Sequence, residues 1–132
     1  MKKVIVFGTF DILHPGHINM LNQAKQYGDY LVVVIARDET VYNVKGEKPL
    51  NDENARLANI QKLNIADKAR LGCIDNKYKV IEEEDPDIIA LGYDQKVFID
   101  MLEDVVKDKV EIVRLAPFKP EIYKSSLLRK NI

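Results

Sequence analysis

Cysteine is almost absent from this 132-residue chain. Cys73 stands alone, so no internal disulfide can form and the expected setting is a reducing cytoplasm. No charge of one sign is in excess. Twenty Lys and Arg face 21 Asp and Glu for a net charge of −1, which removes the electrostatic footprint of a nucleic-acid or anionic-membrane partner. Long apolar runs are missing as well: the longest, Tyr30 to Ala36, falls far short of the ~20 residues that cross a bilayer. Val4-Ile5-Val6-Phe7 behind Lys2-Lys3 is too short for the core of a signal peptide, and Gly8-Thr9-Phe10-Asp11 interrupts it. No internal repeat or low-complexity linker is found. What remains, 46% hydrophobic and 31% charged residues, is a globular composition. A chain of this length buries about two thirds of its unfolded surface, enough for a core without staples. The expectation is a soluble, cytoplasmic, single domain over residues 1–132.

Buried-strand signals recur at wide spacing, roughly Lys3–Phe7, Tyr30–Ala36, Lys68–Leu71, Asp87–Leu91 and Val110–Leu115, and most are near-continuous runs of Val, Ile and Leu. Strands covered on both faces read this way, as in a parallel sheet. Helical patterns fill the gaps. Ile18, Leu21, Ala24 and Tyr27 share one face after Gly16, with Gly28 as the expected C-terminal stop. Asn51 and Asp52 are candidate N-caps for a helix carrying Leu57, Ile60 and Leu63. A weaker helix around Val80 and Ile81 opens at Asn76 and is closed by Pro86. Phe98, Met101, Leu102 and Val105 mark another, and a short last helix begins near Ser125. The alternation predicts right-handed βαβ units: an α/β fold with a five-stranded parallel sheet and helices on both faces. Arg37–Leu50 lacks periodicity and reads as a long functional loop. The acidic run Glu82–Asp85 reads as a solvated face.

Most of the chemical information lies in Gly8-Thr9-Phe10-Asp11-Ile12-Leu13-His14-Pro15-Gly16-His17. This segment leaves the first strand and opens a helix, at the carboxyl edge where open α/β sheets bind ligands. Gly8 allows a tight exit, and Gly16 allows backbone to approach a ligand. His17 falls in the first helical turn, where free N–H groups and the dipole favour an anion. Two imidazoles around Pro-Gly can donate to phosphate oxygens and gain strength as charge builds in phosphoryl or nucleotidyl transfer. A metal reading is weaker, because only Asp11 and Cys73 are available to complete the ligand set. The segment is neither Gly-x-Gly-x-x-Gly nor a Walker A loop.

Gly8-Thr9-Phe10-Asp11 with His14-x-Gly16-His17 resembles the HxGH signature of the nucleotidyltransferase superfamily, in its cytidylyltransferase-like branch. The resemblance implies a Rossmann-like nucleotidyltransferase fold. It implies that His14 and His17 contact the triphosphate and stabilise the transition state as an α-phosphate is attacked. It assigns Lys48 to the same catalytic set and Lys45 to a phosphate loop, and it gives nucleotide-binding roles to Thr9, Phe10, Gly16 and Arg56. Gly92, Tyr93 and Asp94 stand where the family's Gly-x-Asp turn meets base and ribose. Tyr123, Lys124, Ser125 and Ser126 stand where a Ser/Thr-rich signature opens a helix and holds the triphosphate. The family also implies Mg²⁺ or another divalent cation with the nucleotide, and a homodimer.

Within that branch, Ala36-Arg37-Asp38, Lys45-Gly46-x-Lys48-Pro49, Leu91-Gly92-Tyr93-Asp94-Gln95 and Tyr123-Lys124-Ser125-Ser126 resemble the archaeal-type FAD synthetases. These move AMP from ATP to the phosphate of FMN. The cytidylyltransferase signature Arg-Thr-x-Gly-Ile-Ser-Thr-Thr has no arginine counterpart in Pro117–Ser126, so Lys119 and Lys124 are candidates to complete the clamp. Tyr93, Tyr123 and Phe118 are candidates to stack on an isoalloxazine ring. Glycerol-3-phosphate cytidylyltransferase, acting on CTP, is the alternative enzyme. A non-catalytic nucleotide-binding subunit is the alternative of another class. Pantetheine-phosphate and nicotinamide-mononucleotide adenylyltransferases rank lower, since Thr or Asn usually stands there in place of His14.

Overall fold

The computed structural model describes residues 2–73, 79–91 and 110–115. Five short strands form one sheet: β1 (Lys3–Gly8), β2 (Tyr30–Ile35), β3 (Lys68–Leu71), β4 (Ile88–Leu91) and β5 (Glu111–Arg114). Every pairing is parallel and the order is β3-β2-β1-β4-β5. The α/β architecture read from the apolar runs is therefore the observed one. Interleaved with the strands are α1 (Pro15–Lys25), α2 (Asp38–Lys45), α3 (Glu53–Leu63) and α4 (Lys79–Glu84). Because β1 is central, the chain winds outward through β2 to β3 and then returns to add β4 on β1's other side. The order reverses between β1 and β4, and their carboxyl ends border the crevice where such sheets take ligands.

The register explains why the three inner strands, β1, β2 and β4, are apolar over most of their length. Val4 pairs with Leu31 and Ile88, and Ile5 pairs with Val32 and Ile89. Alternate residues thus feed two separate cores. Val4, Val6, Leu31, Val33, Ile88 and Ala90 pack with Leu21 and Ala24 of α1 and Ile60 of α3. On the opposite face Ile5, Val32, Val34, Ile89 and Leu91 pack with Val80 and Ile81 of α4. A strand with helices on both sides has no face to spare for polar residues.

Some local expectations are corrected. Arg37–Leu50 is not a structureless loop, since α2 occupies its first half and ends on Gly46 in the left-handed region at φ 75°. Among the described side chains of that helix Val41 is the one in the core, while Tyr42 is exposed, so little apolar period is there to read. Gly28 is not a left-handed stop for α1, which ends on Gln26 in the right-handed helical region. Its requirement is space: a Cβ there would lie 2.6 Å from the Lys2 carbonyl oxygen and 2.7 Å from Val4 Cγ2. Ile18 and Tyr27, expected on the buried face of α1, are exposed, and Leu21 and Ala24 carry that face. Asp52 is the N-cap of α3, accepting from the Ala55 amide at 2.8 Å, while Asn51 turns to other work. The start of the helix expected at Asn76, the helix around Met101 and the one near Ser125 lie outside the described residues.

Glu84 overturns the solvated reading of its acidic run. Glu82, Glu83 and Asp85 are exposed, but Glu84 is 4% exposed. Its Oε2 accepts from Lys68 Nζ at 2.8 Å and Arg70 Nη1 at 2.9 Å, and Lys3 Nζ lies 3.7 Å from Oε1. Lys3 also donates to the Glu84 carbonyl at 2.7 Å. One carboxylate thereby ties α4 to β1 and β3. Burial pushes its carboxyl up, but the hydrogen bonds from Lys68 and Arg70 and the charges of Lys68 and Lys3 outweigh it. The group is held below its ordinary value of 4.5.

A folded-state pKa below the unfolded one stabilises above the unfolded value, and the gain is lost as pH falls through the folded value. Glu84→Gln is expected to cost about 1–3 kcal/mol at pH 7, since its cationic partners are partly open to solvent. Urea midpoints of the variant and the unaltered chain should converge below the ordinary carboxylate range; a gap that stays constant down to pH 3 would contradict the assignment. Gly28→Ala, which drives a methyl group into backbone, is expected to lose about 1–3 kcal/mol in the same measurement.

Candidate active site

The site grows from the exit of β1. Residue 10 turns the chain sharply, with Phe10 in the left-handed region at φ 52° and its side chain buried. The ring folds back over Gly8, where a Cβ would lie 2.6 Å from Phe10 Cε2. Gly8 is therefore required by the neighbouring aromatic. The same ring meets His17 edge-on at 5.3 Å between centroids. Phe10 supports the histidine from below, a role in packing that the sequence reading did not assign it.

His14 is the N-cap of α1, with Pro15 as the first helical residue. Its carbonyl accepts from the His17 amide at 3.0 Å, starting the helix, while its Nδ1 accepts from the Gly16 amide at 3.1 Å. An imidazole that accepts at Nδ1 carries its proton on Nε2, so His14 presents an N–H donor at its outer edge. Burial pushes its pKa down, which favours this neutral form. His17, one turn on, stacks against His14 at 3.8 Å between centroids and 22° between planes. The pair that sequence spacing put on one helix end is thus a physical unit, two donors side by side at the positive end of α1.

A second set of residues closes around this turn. Asp11 is buried, and its carboxylate accepts from the backbone amides of Leu50 and Asn51, each at 2.8 Å. Asn51 Nδ2 returns a bond to the Asp11 carbonyl at 2.6 Å. The segment leading into α3 is thereby fastened to the histidine turn. Asp11 was weighed as a metal ligand on the sequence; here it holds backbone. Cys73, the other candidate, lies beyond β3 with Arg70 and Glu83 beside it. Among the described residues no group of three or more His, Cys, Asp or Glu is placed to hold a metal.

Arg56 is placed differently from its expected use. It is 0% exposed, the largest fully buried side chain among the described residues. Nη1 donates to the Thr9 carbonyl at 2.8 Å, Nε to the Asn51 carbonyl at 3.0 Å, and Nη2 to Asp38 Oδ1 at 2.6 Å. In this arrangement its charge is engaged with the protein and does not face solvent. Thr9 meets it through the main chain. Lys48 is exposed in the segment between α2 and α3, and Lys45 is the last residue of α2. Gly92, Tyr93, Asp94, Phe118, Lys119, Tyr123, Lys124, Ser125 and Ser126 lie outside the described residues.

The sequence reading missed Asp11, Arg37, Asp38, Asn51 and Glu53 as partners in one network. No local signal marks it, because Asp38 opens a helix without a readable apolar period and its pairing with Glu53 spans 15 residues. What the arrangement can do is bind an anion at the α1 terminus and donate to it from His14.

Comparison with known proteins fits this geometry. A family model described as cytidylyltransferase-like matches residues 5–131. The chain is 44% identical over 135 residues to an FAD synthase of Thermoplasma volcanium, covering 100% of this chain and 94% of that one. It is 42% identical to an FAD synthase of Thermoplasma acidophilum, with the same coverage of 100% and 94%. A solved structure described as the lipopolysaccharide core biosynthesis protein from Thermoplasma volcanium matches at a TM-score of 0.82 and 44% identity, over 90% of this chain and 99% of that one. A pantoate-beta-alanine ligase from Francisella tularensis shares the fold, with a TM-score of 0.64 at 15% identity over 99% of this chain and 65% of that one. The stacked histidines and the turn that carries them thus sit in a chain related to these proteins along its length, and it belongs to the cytidylyltransferase-like family of HxGH nucleotidyltransferases.

Proposed function

We propose that this chain is an FAD synthase, an FMN adenylyltransferase that moves AMP from ATP to the phosphate of FMN and releases pyrophosphate. The observation that carries the reading is the 44% identity to an FAD synthase along the whole chain. The histidine pair supplies chemistry that suits it. A phosphate oxygen of FMN attacks the α-phosphorus of ATP, and the bond from that phosphorus to the bridging oxygen of pyrophosphate breaks. The nucleophile is already a dianion, so no general base is needed. Catalysis then rests on placement and on donors aimed at developing negative charge.

His14, with its proton on Nε2, donates to a non-bridging oxygen of the α-phosphate without having to change protonation state. His17, stacked against it, holds the second donor position of the pair. The amino end of α1 adds its dipole, and Lys48 approaches the phosphates from the segment after α2. A divalent cation brought in with the triphosphate would offset its charge; among the described residues no group of three or more His, Cys, Asp or Glu is placed to hold it. Gly92, Tyr93 and Asp94 read base and ribose, and Tyr123 through Ser126 hold the triphosphate, as the family pattern implies. Arg56 acts from behind the site by fixing Thr9 and the start of α3.

Pyrophosphate release with Mg²⁺ decides between the candidate reactions. Release with ATP and FMN, with FAD as product, is expected; release only with CTP and glycerol 3-phosphate would overturn the reading. In the productive assay His17→Ala should lower kcat by roughly 10²–10³, the loss typical of one donor to a developing oxyanion. Near-unaltered turnover would remove the histidine pair from the mechanism.

A further inference from the structure

The two helices that follow β2 begin at the same place and cap each other. Asp38 is the first residue of α2 and Glu53 the first of α3. The Asp38 amide donates to Glu53 Oε1 at 3.0 Å, and the Glu53 amide donates to Asp38 Oδ2 at 3.2 Å. Each carboxylate thus satisfies an amide that the other helix leaves over at its start. Their remaining oxygens are used as well. Glu53 Oε2 accepts from Arg37 Nη1 at 2.8 Å, and Asp38 Oδ1 accepts from Arg56 Nη2 at 2.6 Å. Both arginines then reach the sheet: Arg37 Nε donates to the Gly72 carbonyl at 2.7 Å beyond β3, and Arg56 Nη1 to the Thr9 carbonyl at 2.8 Å beyond β1.

The consequence is a closed excursion of the chain. Residues 38 and 53 are 15 apart in sequence and joined twice. Everything between them, including Lys48, is carried on a lobe whose two ends are stitched together and anchored to the carboxyl edge. Asp11 fastens the lobe a third time, through Leu50 and Asn51. A lysine on a long stem loses entropy when it is held against a phosphate, and the loss is smaller when its backbone is already placed.

We infer that Asp38 and Glu53 are positioning residues whose mutual capping sets where the lobe presents Lys48 to the triphosphate. The inference rests on the adenylyltransfer reading for the role of Lys48. It does not require either carboxylate to touch a substrate.

A double-variant cycle tests it. Glu53→Ala removes one cap and the Arg37 pair, and Lys48→Ala removes the presented charge. If the clamp acts through Lys48, Glu53→Ala should raise KM for ATP about tenfold with a smaller change in kcat, and the double variant should be no worse than Lys48→Ala alone. Glu53→Gln keeps an oxygen for the Asp38 amide and should fall between Glu53→Ala and the unaltered chain. Hydrogen exchange supplies the second readout: amides of residues 46–51 should exchange faster in Glu53→Ala while those of β1 and β2 hold their protection. Losses that multiply in the double variant, or strand amides that lose protection together with the lobe in both Glu53 variants, would overturn the inference. If the unaltered chain makes no FAD, the functional reading fails. The same cycle read on affinity for a fluorescent ATP analogue then decides the clamp by the same criteria.

Discussion

A guanidinium withdrawn completely from water must be met by oxygen, and the carboxyl edge of this sheet is organised around that demand. Arg56 has no exposed surface, and leaving such a charge unpaired would cost several kcal/mol. Its three partners come from separate parts of the chain: the Thr9 carbonyl after β1, the Asn51 carbonyl before α3, and the Asp38 carboxylate at the head of α2. Satisfying one side chain therefore fixes the exit of the central strand relative to two helix starts. The histidines sit only a few residues along from that exit. Their placement descends from an ion pair whose guanidinium is fully buried.

Besides Asp11, a buried charge of the opposite sign lies on the other side of the sheet. Glu84 gathers Lys3, Lys68 and Arg70 on the face covered by α4. The two differ in what they join. Glu84 binds a helix to strands and shares the work of the apolar core beneath it. Arg56 binds loops and helix ends with little apolar surface: among the described side chains of α2, Val41 is the one in the core. Where hydrophobic burial is thin, directional hydrogen bonds to charge supply the geometry.

What the sequence made legible follows the same division. The inner strands were readable because residues that feed two cores must be apolar in succession; Lys68–Leu71, an edge strand with two basic residues, still matches its expected span, and the others differ at their ends by a residue. The turn between β1 and α1 was readable because its residues are consecutive and each has a local reason to be there. The α2 helix was not readable, since its amino end is satisfied by a partner 15 residues away and, among its described side chains, Val41 is the one in the core. Arg56 was correctly located near the start of a helix, yet nothing local distinguishes an arginine that faces phosphate from one that is buried against a carboxylate. Glu84 looked like its three acidic neighbours for the same reason. Long-range pairing of charge leaves no periodicity, so it becomes visible only once the chain is folded.

The stitched lobe also bears on how this chain can change. Beyond its stitched ends, this segment is tied down by Val41 in the core and by the Asp11 bonds to Leu50 and Asn51. Extra residues inserted between Gly46 and Leu50 would add mainly the entropy of a longer closed loop, about 0.6 kcal/mol for each doubling of length. The strands would not need to shift register to accommodate them. Residues 47–49, between the left-handed Gly46 and the fastened Leu50, are thus the part of this edge where length is most nearly decoupled from stability. Natural variation can rework reach and charge over the histidines there without refolding the rest.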